Sequence, residues 1–294
     1  MVRELLASKT LQSIYDVPAP AKLNLFLHLT GRRPDGYHLL QSAFMLIDWC
    51  DRLHFEARTD GKIARKDAFA QGGWELPEDD LCVRAARALR AATGTALGVT
   101  ITLEKQVPTQ AGMGGGSSDA ATCLLALQRL WGVRLPKPAL HTLALALGAD
   151  VPFFLFGSNA WAEGIGDELT LLPLAPAYFV VVKPPDGVGT AEIFRAPGLK
   201  RDTPAATIAG FAAHRASQNV EFGLNDLQSV AQVLCPQIID VLSWMELHQL
   251  SGRMTGSGSA VFAQVDENWQ VPVAPSGWTV RKCRNLPVHP LAGW

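Results

Sequence analysis

No apolar run in this 294-residue chain approaches the length of a bilayer span. Phe153-Phe154-Leu155-Phe156 and Phe179-Val180-Val181-Val182 are too short for that and read as buried strands. The segment Met1 to Thr10 carries Glu4 and Lys9 and lacks the apolar core and small-residue cleavage site of a secretory signal, so the expectation is a cytoplasmic protein with no membrane partner. An excess of basic charge is also missing. Lys and Arg total 26 against 27 acidic residues, and no basic run supplies the footprint that drives nucleic-acid binding. The five cysteines, Cys50, Cys82, Cys123, Cys235 and Cys283, form no CxxC pair and no zinc spacing, which suits a reducing compartment. Nor does any glycine loop end in the Gly-Lys-Ser/Thr of a Walker motif.

What is present is the composition of a globular chain: 48% hydrophobic and 18% charged residues are enough to build a core against the entropy of ordering. The length favours two packed domains over one. Lys22 to Leu29 alternates, with Leu23, Leu25, Leu27 and Leu29 on one face and Lys22, Asn24, Phe26 and His28 on the other, as in a strand with one side toward the core. Arg33-Pro34-Asp35-Gly36 is turn chemistry, which presents Tyr37 and His38 at a loop edge. Asp79-Asp80 can cap a helix from Leu81 to about Ala92, closed by Gly94, and Val99, Ile101 and Leu103 alternate as a strand. Helices are expected from Asp119 to Trp131 and from Pro136 to Leu147, and another near Gln237 to Leu247. Strands are expected near Phe179 to Lys183, Ala260 to Val265 and Trp278 to Lys282, a loose α+β alternation.

The chemistry gathers at Gly112-Met113-Gly114-Gly115-Gly116-Ser117-Ser118, just before an amphipathic helix. Residues without a Cβ let backbone N–H groups close around an anion, and the positive end of the following helix adds to the attraction, so the loop reads as a phosphate cradle. Ser117 or Ser118 has two open roles, a hydroxyl ligand for magnesium or a helix cap. Asp119 would repel phosphate but stabilises a first helical turn, so it reads as structural and turned away from the ligand. Lys22 shares a strand face with Asn24. The ordinary reading of Asp150 is a cap on the turn that contains Pro152, and spacing alone does not pair it with Lys22.

Five segments in order, Pro20-Ala21-Lys22-Leu23-Asn24-Leu25, Pro34-Asp35-Gly36-Tyr37-His38, Pro108 through Ala121, Gly148-Ala149-Asp150-Val151-Pro152 and Gly256-Ser257-Gly258, resemble the GHMP kinases over nearly the whole chain. The resemblance implies a two-domain α+β fold, with an N-terminal domain holding a left-handed βαβ unit (residues 1–157), a ferredoxin-like C-terminal domain (158–294), and the active site between them. It implies ATP as phosphoryl donor, with Mg2+, and as acceptor a small molecule carrying a cytidine diphosphate group, the 2-hydroxyl of its methylerythritol part. On matched positions Asp150 is the expected base and Lys22 its partner. Lys105, Pro108, Gly112, Met113, Gly114, Gly115, Gly116, Ser117 and Ser118 are expected to hold ATP; Asn24, Tyr37, His38 and Phe194 are expected to hold the cytidylyl substrate. The alternatives are a kinase of the homoserine or mevalonate type and a nucleotide or sugar sensor without turnover. Met113 departs from the family's usual leucine, Thr109-Gln110 is more polar than usual, the N-terminus is longer by about a dozen residues, and Asp60 to Trp74 matches no motif.

Overall fold

The computed structural model describes residues 12–68, 77–216 and 222–294; the N-terminal extension and the end of the motif-free Asp60 to Trp74 stretch lie outside them. Strands β1 (Ser13–Arg32) and β2 (His38–Arg58) form a long antiparallel hairpin. Its turn is the expected one: Gly36 has φ of 93°, a conformation glycine adopts without penalty, and the Gly36 amide donates to the Arg33 carbonyl at 2.9 Å. β3 (Ile63–Ala68) lies where no motif was found. Helix α1 (Leu81–Thr93) starts on Asp80, whose side chain accepts from the Val83 amide, and stops at left-handed Gly94. It leads into β4 (Gly98–Glu104), which runs parallel to β3, so β3–α1–β4 is a βαβ unit.

Helices α2 (Gly115–Leu130), α3 (Lys137–Leu147) and α4 (Val151–Phe156) follow. α4 corrects the strand expected at Phe153 to Phe156. Pro152 sits in its first turn, Gly157 closes it at φ 75°, and a four-residue apolar run carries no period that separates buried strand from buried helix. Phe153 and Phe154 are buried in the same cluster as Leu124 and Leu127 of α2, each ring stabilising the fold by about 1.5–3 kcal/mol. β5 (Ala160–Glu163) and β6 (Glu168–Leu171) then join the first sheet, whose order is β3-β4-β2-β5-β6 with β1 also paired to β2. The boundary expected at Gly157 therefore falls inside this sheet. Ser42 to Phe44 of β2 pair with β5, so the chain leaves the first sheet only after Leu171.

The second sheet begins at β7 (Tyr178–Lys183). Four helices come next, α5 (Thr190–Arg195), α6 (Ile208–Ala216), α7 (Gln228–Leu234) and α8 (Gln237–Leu247). Then follow β8 (Arg253–Met254), β9 (Val261–Val265) and β10 (Thr279–Arg284). The order β10-β7-β9-β8, antiparallel throughout, is the split βαβ arrangement of a ferredoxin-like sheet. No single helix among the described residues is long and apolar enough to cross a membrane.

β1 serves both domains. Its leucine face is buried as expected, but Phe26 and His28 on the other face are buried too. Rings of the C-terminal domain cover them together with Trp161 of β5: Phe26 lies 6.0 and 5.1 Å from Phe211 and Phe222, and His28 lies 6.5 Å from Phe222. Lys22 and Asn24 are buried on this strand where the C-terminal domain meets it at Thr255.

Candidate active site

The glycine segment is part turn and part helix. Gly112 and Gly114 take φ of 71° and 68°, and α2 begins at Gly115 rather than at Asp119, so the last residues of the expected loop are the first turn of a 16-residue helix. Its N-cap is Gly114, and no side chain among the described residues caps it. Its first amides are left for a ligand, with the positive end of the helix dipole behind them. Pro108 and Met113 are buried; the Met113 side chain joins the core while its carbonyl accepts from the Lys22 amide at 3.0 Å. The loop is thereby tied to the strand that carries the lysine.

From the other domain the turn Thr255 to Gly258 closes on the loop. Gln110 and Ala111 carbonyls accept from the amides of Ser259 and Ala260 at 3.0 and 3.2 Å. A Cβ on Gly112 would stand 2.1 Å from the Thr255 carbonyl oxygen, far inside contact distance. Gly112→Ala is expected to cost about 1–3 kcal/mol through the forced positive φ and the clash, and to weaken binding of the expected ATP by about an order of magnitude. Thermal melts and calorimetric titration with ATP check this; wild-type values in both would show that loop and turn can separate without consequence.

Lys22 and Asp150 come together although nothing in their spacing required it. Lys22 Nζ lies 3.6 Å from Asp150 Oδ2, with the lysine side chain 4% exposed and the aspartate 34%. The ammonium is at the floor and the carboxylate at the opening. Asp150 precedes α4 but makes no capping hydrogen bond, so its ordinary reading as a cap fails and its carboxylate is free for chemistry. Lys22 Nζ also donates to Asn24 Oδ1, Asn24 Nδ2 donates to Ser42 Oγ at 2.9 Å, and the Phe44 ring lies 5.0 Å from the ammonium. Burial holds the Lys22 pKa below its ordinary value, and Asp150 opposes that through charge and hydrogen bonding. Asn24 is therefore buried beside the lysine, its amide donating to Thr255 Oγ1 at 2.9 Å.

The two serines separate. Ser118 is fully buried and its Oγ has no hydrogen-bond partner among the described residues, whereas Ser117 is part exposed and lies against the Gly148 turn that leads to Asp150, 3.8 Å from where a Gly148 Cβ would be. Lys105 departs from its expected place on the phosphates. Its ammonium lies under Gly115, bound to Asp51 and to Asp119 Oδ2 at 2.9 Å, so its charge is already committed. Asp119 is buried and turned inward, as expected. Asp51, which no motif marked, also accepts from the amides of Gln106 and Val107 and anchors the approach to the loop.

A second cluster lies along the hairpin from the first. Ten residues of β1 separate Lys22 from Arg32, the partner of His38. That is up to about 30 Å in a regular strand, and less across the bulges here. At that end the His38 and Phe194 rings are 4.9 Å apart, Tyr37 stands 59% exposed beside them, and Arg201 Nε donates to His38 Nε2 at 2.9 Å. Sequence reasoning placed His38, Tyr37 and Phe194 but missed Arg201, which belongs to no motif.

Residues 80–158 match the family model for the GHMP kinases N terminal domain, and residues 210–268 that for the GHMP kinases C terminal. A 4-diphosphocytidyl-2-C-methyl-D-erythritol kinase of Polaromonas naphthalenivorans is 65% identical over 297 residues, covering 100% of both chains. One from Acidovorax ebreus is 59% identical and covers 97% of this chain and 99% of its own. Among solved structures, a 4-(cytidine 5'-diphospho)-2C-methyl-D-erythritol kinase superposes with a TM-score of 0.71 at 37% identity, covering 86% of this chain and 90% of its own. A homoserine kinase from Cytophaga hutchinsonii superposes at 0.68 with 15% identity, covering 95% and 96%, a likeness of fold alone.

Proposed function

The chain belongs to the GHMP kinases, and from that premise we propose that it transfers the γ-phosphoryl group of ATP to the 2-hydroxyl of 4-diphosphocytidyl-2-C-methyl-D-erythritol. The observation that carries the choice of acceptor is the length of the site. The Lys22–Asp150 pair lies at the middle of the β1–β2 hairpin, where Lys22 pairs with Leu46, and an aromatic and imidazole cluster lies at its turn. A homoserine- or mevalonate-sized alcohol at Asp150 would leave Tyr37, His38 and Phe194 without work, whereas a cytidylyl substrate spans both clusters. The reading of a sensor without turnover is disfavoured by Lys22 and Asp150 standing 3.6 Å apart. The free cysteines agree with a cytoplasmic setting.

In this reading the ATP phosphates rest on the uncapped amides at the start of α2. The acceptor hydroxyl meets Asp150, whose carboxylate takes its proton as the oxygen attacks the γ-phosphorus in line; ADP departs with the electron pair of the broken bond. Lys22, held by Asn24, orients the carboxylate and opposes the negative charge that develops beside it. Magnesium, when bound, would shield the phosphate charges. Among the described residues no cluster of three or more His, Cys, Asp or Glu could cage a metal, so Ser117 Oγ with phosphate and water oxygens is the donor set that fits an ion of this kind. Tyr37 and Phe194 offer ring faces to the pyrimidine, and His38 offers its edge.

The test compares ADP release on the full substrate with that on the same methylerythritol phosphate lacking the cytidylyl group. Removing the base is expected to lower kcat/KM by about a thousandfold, since binding energy remote from the reacting hydroxyl is what places it. Equal turnover of both would defeat this assignment of the acceptor.

A further inference from the structure

Arg201 ties the His38 side chain of the N-terminal domain to backbone carbonyls of the C-terminal one. Its Nε donates to His38 Nε2 at 2.9 Å, its Nη2 to the carbonyls of Phe194 and Ala196 at 3.2 and 3.0 Å, and its Nη1 to the Leu199 carbonyl at 2.9 Å. It forms no ion pair among the described residues, so the guanidinium acts as a brace and not as half of a salt bridge. An arginine is always a donor. The imidazole nitrogen facing it must then offer a lone pair, and the proton of neutral His38 must sit on Nδ1. That nitrogen makes no hydrogen bond within the described protein.

We propose that Arg201 is a positioning residue that holds His38 as its Nδ1–H tautomer and thereby selects cytosine over uracil in the nucleobase of the substrate. The inference rests on the cytidylyl acceptor proposed above. Ring atom N3 of cytosine is an acceptor and meets the Nδ1–H, whereas N3 of uracil carries a hydrogen and would bring donor against donor, leaving both unpaired. The charged groups facing the imidazole are Arg201, from the segment after α5, and Arg32 on β1; Phe194 of α5 covers the ring. Burial first, then these two cations, keep the His38 pKa below its ordinary value, which favours the neutral form.

The experiment has three parts on the full chain. Nitrogen-15 NMR of the wild type is expected to show His38 protonated at Nδ1 and not at Nε2. Calorimetric titration with CDP and UDP is expected to give a preference for CDP of at least about a hundredfold, flat between about pH 7 and 8. In Arg201→Met the preference is expected to fall to about a tenth of that and to become pH-dependent, growing as pH drops through the His38 pKa, which loss of the Arg201 charge raises. The sign follows from the chemistry: protonation restores a donor at Nδ1, while above that pKa the freed ring can turn a lone pair toward uracil. Arg201→Lys keeps one donor and is expected to recover part of the preference, and it replaces the methionine variant if that one does not fold. An Nε2–H tautomer in the wild type, equal binding of CDP and UDP, or an unchanged preference and pH profile in the variants would each overturn the inference. Failure of the wild type to turn over the cytidylyl substrate would instead overturn the proposed function, and the tautomer measurement would still decide what Arg201 does to His38.

Discussion

Asp150→Asn is expected to lower kcat by about three orders of magnitude while leaving the protein folded. A positioned general base contributes about 10²- to 10⁴-fold, and this base has no evident substitute, since the group beside it is the cationic Lys22. The amide has the shape of the carboxylate but no basic lone pair to take the hydroxyl proton. Because Asp150 caps nothing, the backbone around α4 loses no hydrogen bond in the exchange. A second signature comes from the lysine. Burial lowers its pKa and Asp150 raises it, so the variant leaves Lys22 further below its unfolded value. Between the folded and unfolded pKa values the unfolded state binds the extra proton, and stability rises with pH there. The variant should therefore gain stability more steeply than wild type as pH is raised from neutrality toward that of free lysine, read by denaturant unfolding at two pH values. ADP release measures the activity. A variant that kept a tenth or more of wild-type kcat would remove Asp150 from the role of base.

How much of this was open to sequence reasoning depends on the range of the forces involved. α1 was placed almost to the residue because both its ends are set locally, by an Asp80 side chain reaching three residues on and by the positive φ of Gly94. The glycine turn that leads into α2 was found for the same reason, Gly112 and Gly114 taking positive φ. The pairing of Lys22 with Asp150 was not readable from spacing, because it depends on two elements that meet only after α2 and α4 pack; the family resemblance supplied it. β1 shows the limit of pattern reading: one face alternates apolar and was expected to be the only buried one, yet the second domain buries the other. The Phe153 to Phe156 run shows another, since burial selects apolar residues in strand and helix alike. Asp51 and Arg201 were missed because each is a single polar residue in no motif. Their meaning lies entirely in partners far along the chain, Lys105 for one and His38 for the other.

Lys105→Met is expected to destabilise the protein by about 3–5 kcal/mol, a fall of roughly 10 °C in the melting midpoint, and to weaken ATP binding as a consequence. One ammonium serves two carboxylates here, all three groups being almost wholly buried. Burial pulls the Lys105 pKa down, but Asp119 and Asp51 together more than offset that and leave it above the ordinary lysine value. For Asp119 burial dominates, pushing its carboxyl well above the usual range, with Lys105 opposing and Asp51 adding to the rise. Removing the lysine leaves two desolvated acids without their cation, directly beneath Gly115 and the approach segment that Asp51 holds through Gln106 and Val107. Asp119→Asn should be much milder, because Lys105 keeps the Asp51 carboxylate and the amide keeps an oxygen that can accept from the ammonium. It should also remove a pH dependence of known sign: an acid whose folded pKa is raised binds its proton more tightly when folded, so its share of stability declines as pH climbs from about 4 toward that raised value. In the double variant part of the Lys105→Met loss should return, and the difference from additivity measures the coupling. Melting and ATP titration together discriminate the two possible places for this lysine. A Lys105→Met protein that melts like wild type but no longer binds ATP would put the ammonium back on the phosphates; one that melts early and recovers with the second substitution leaves it where the structure has it, as the support of the loop.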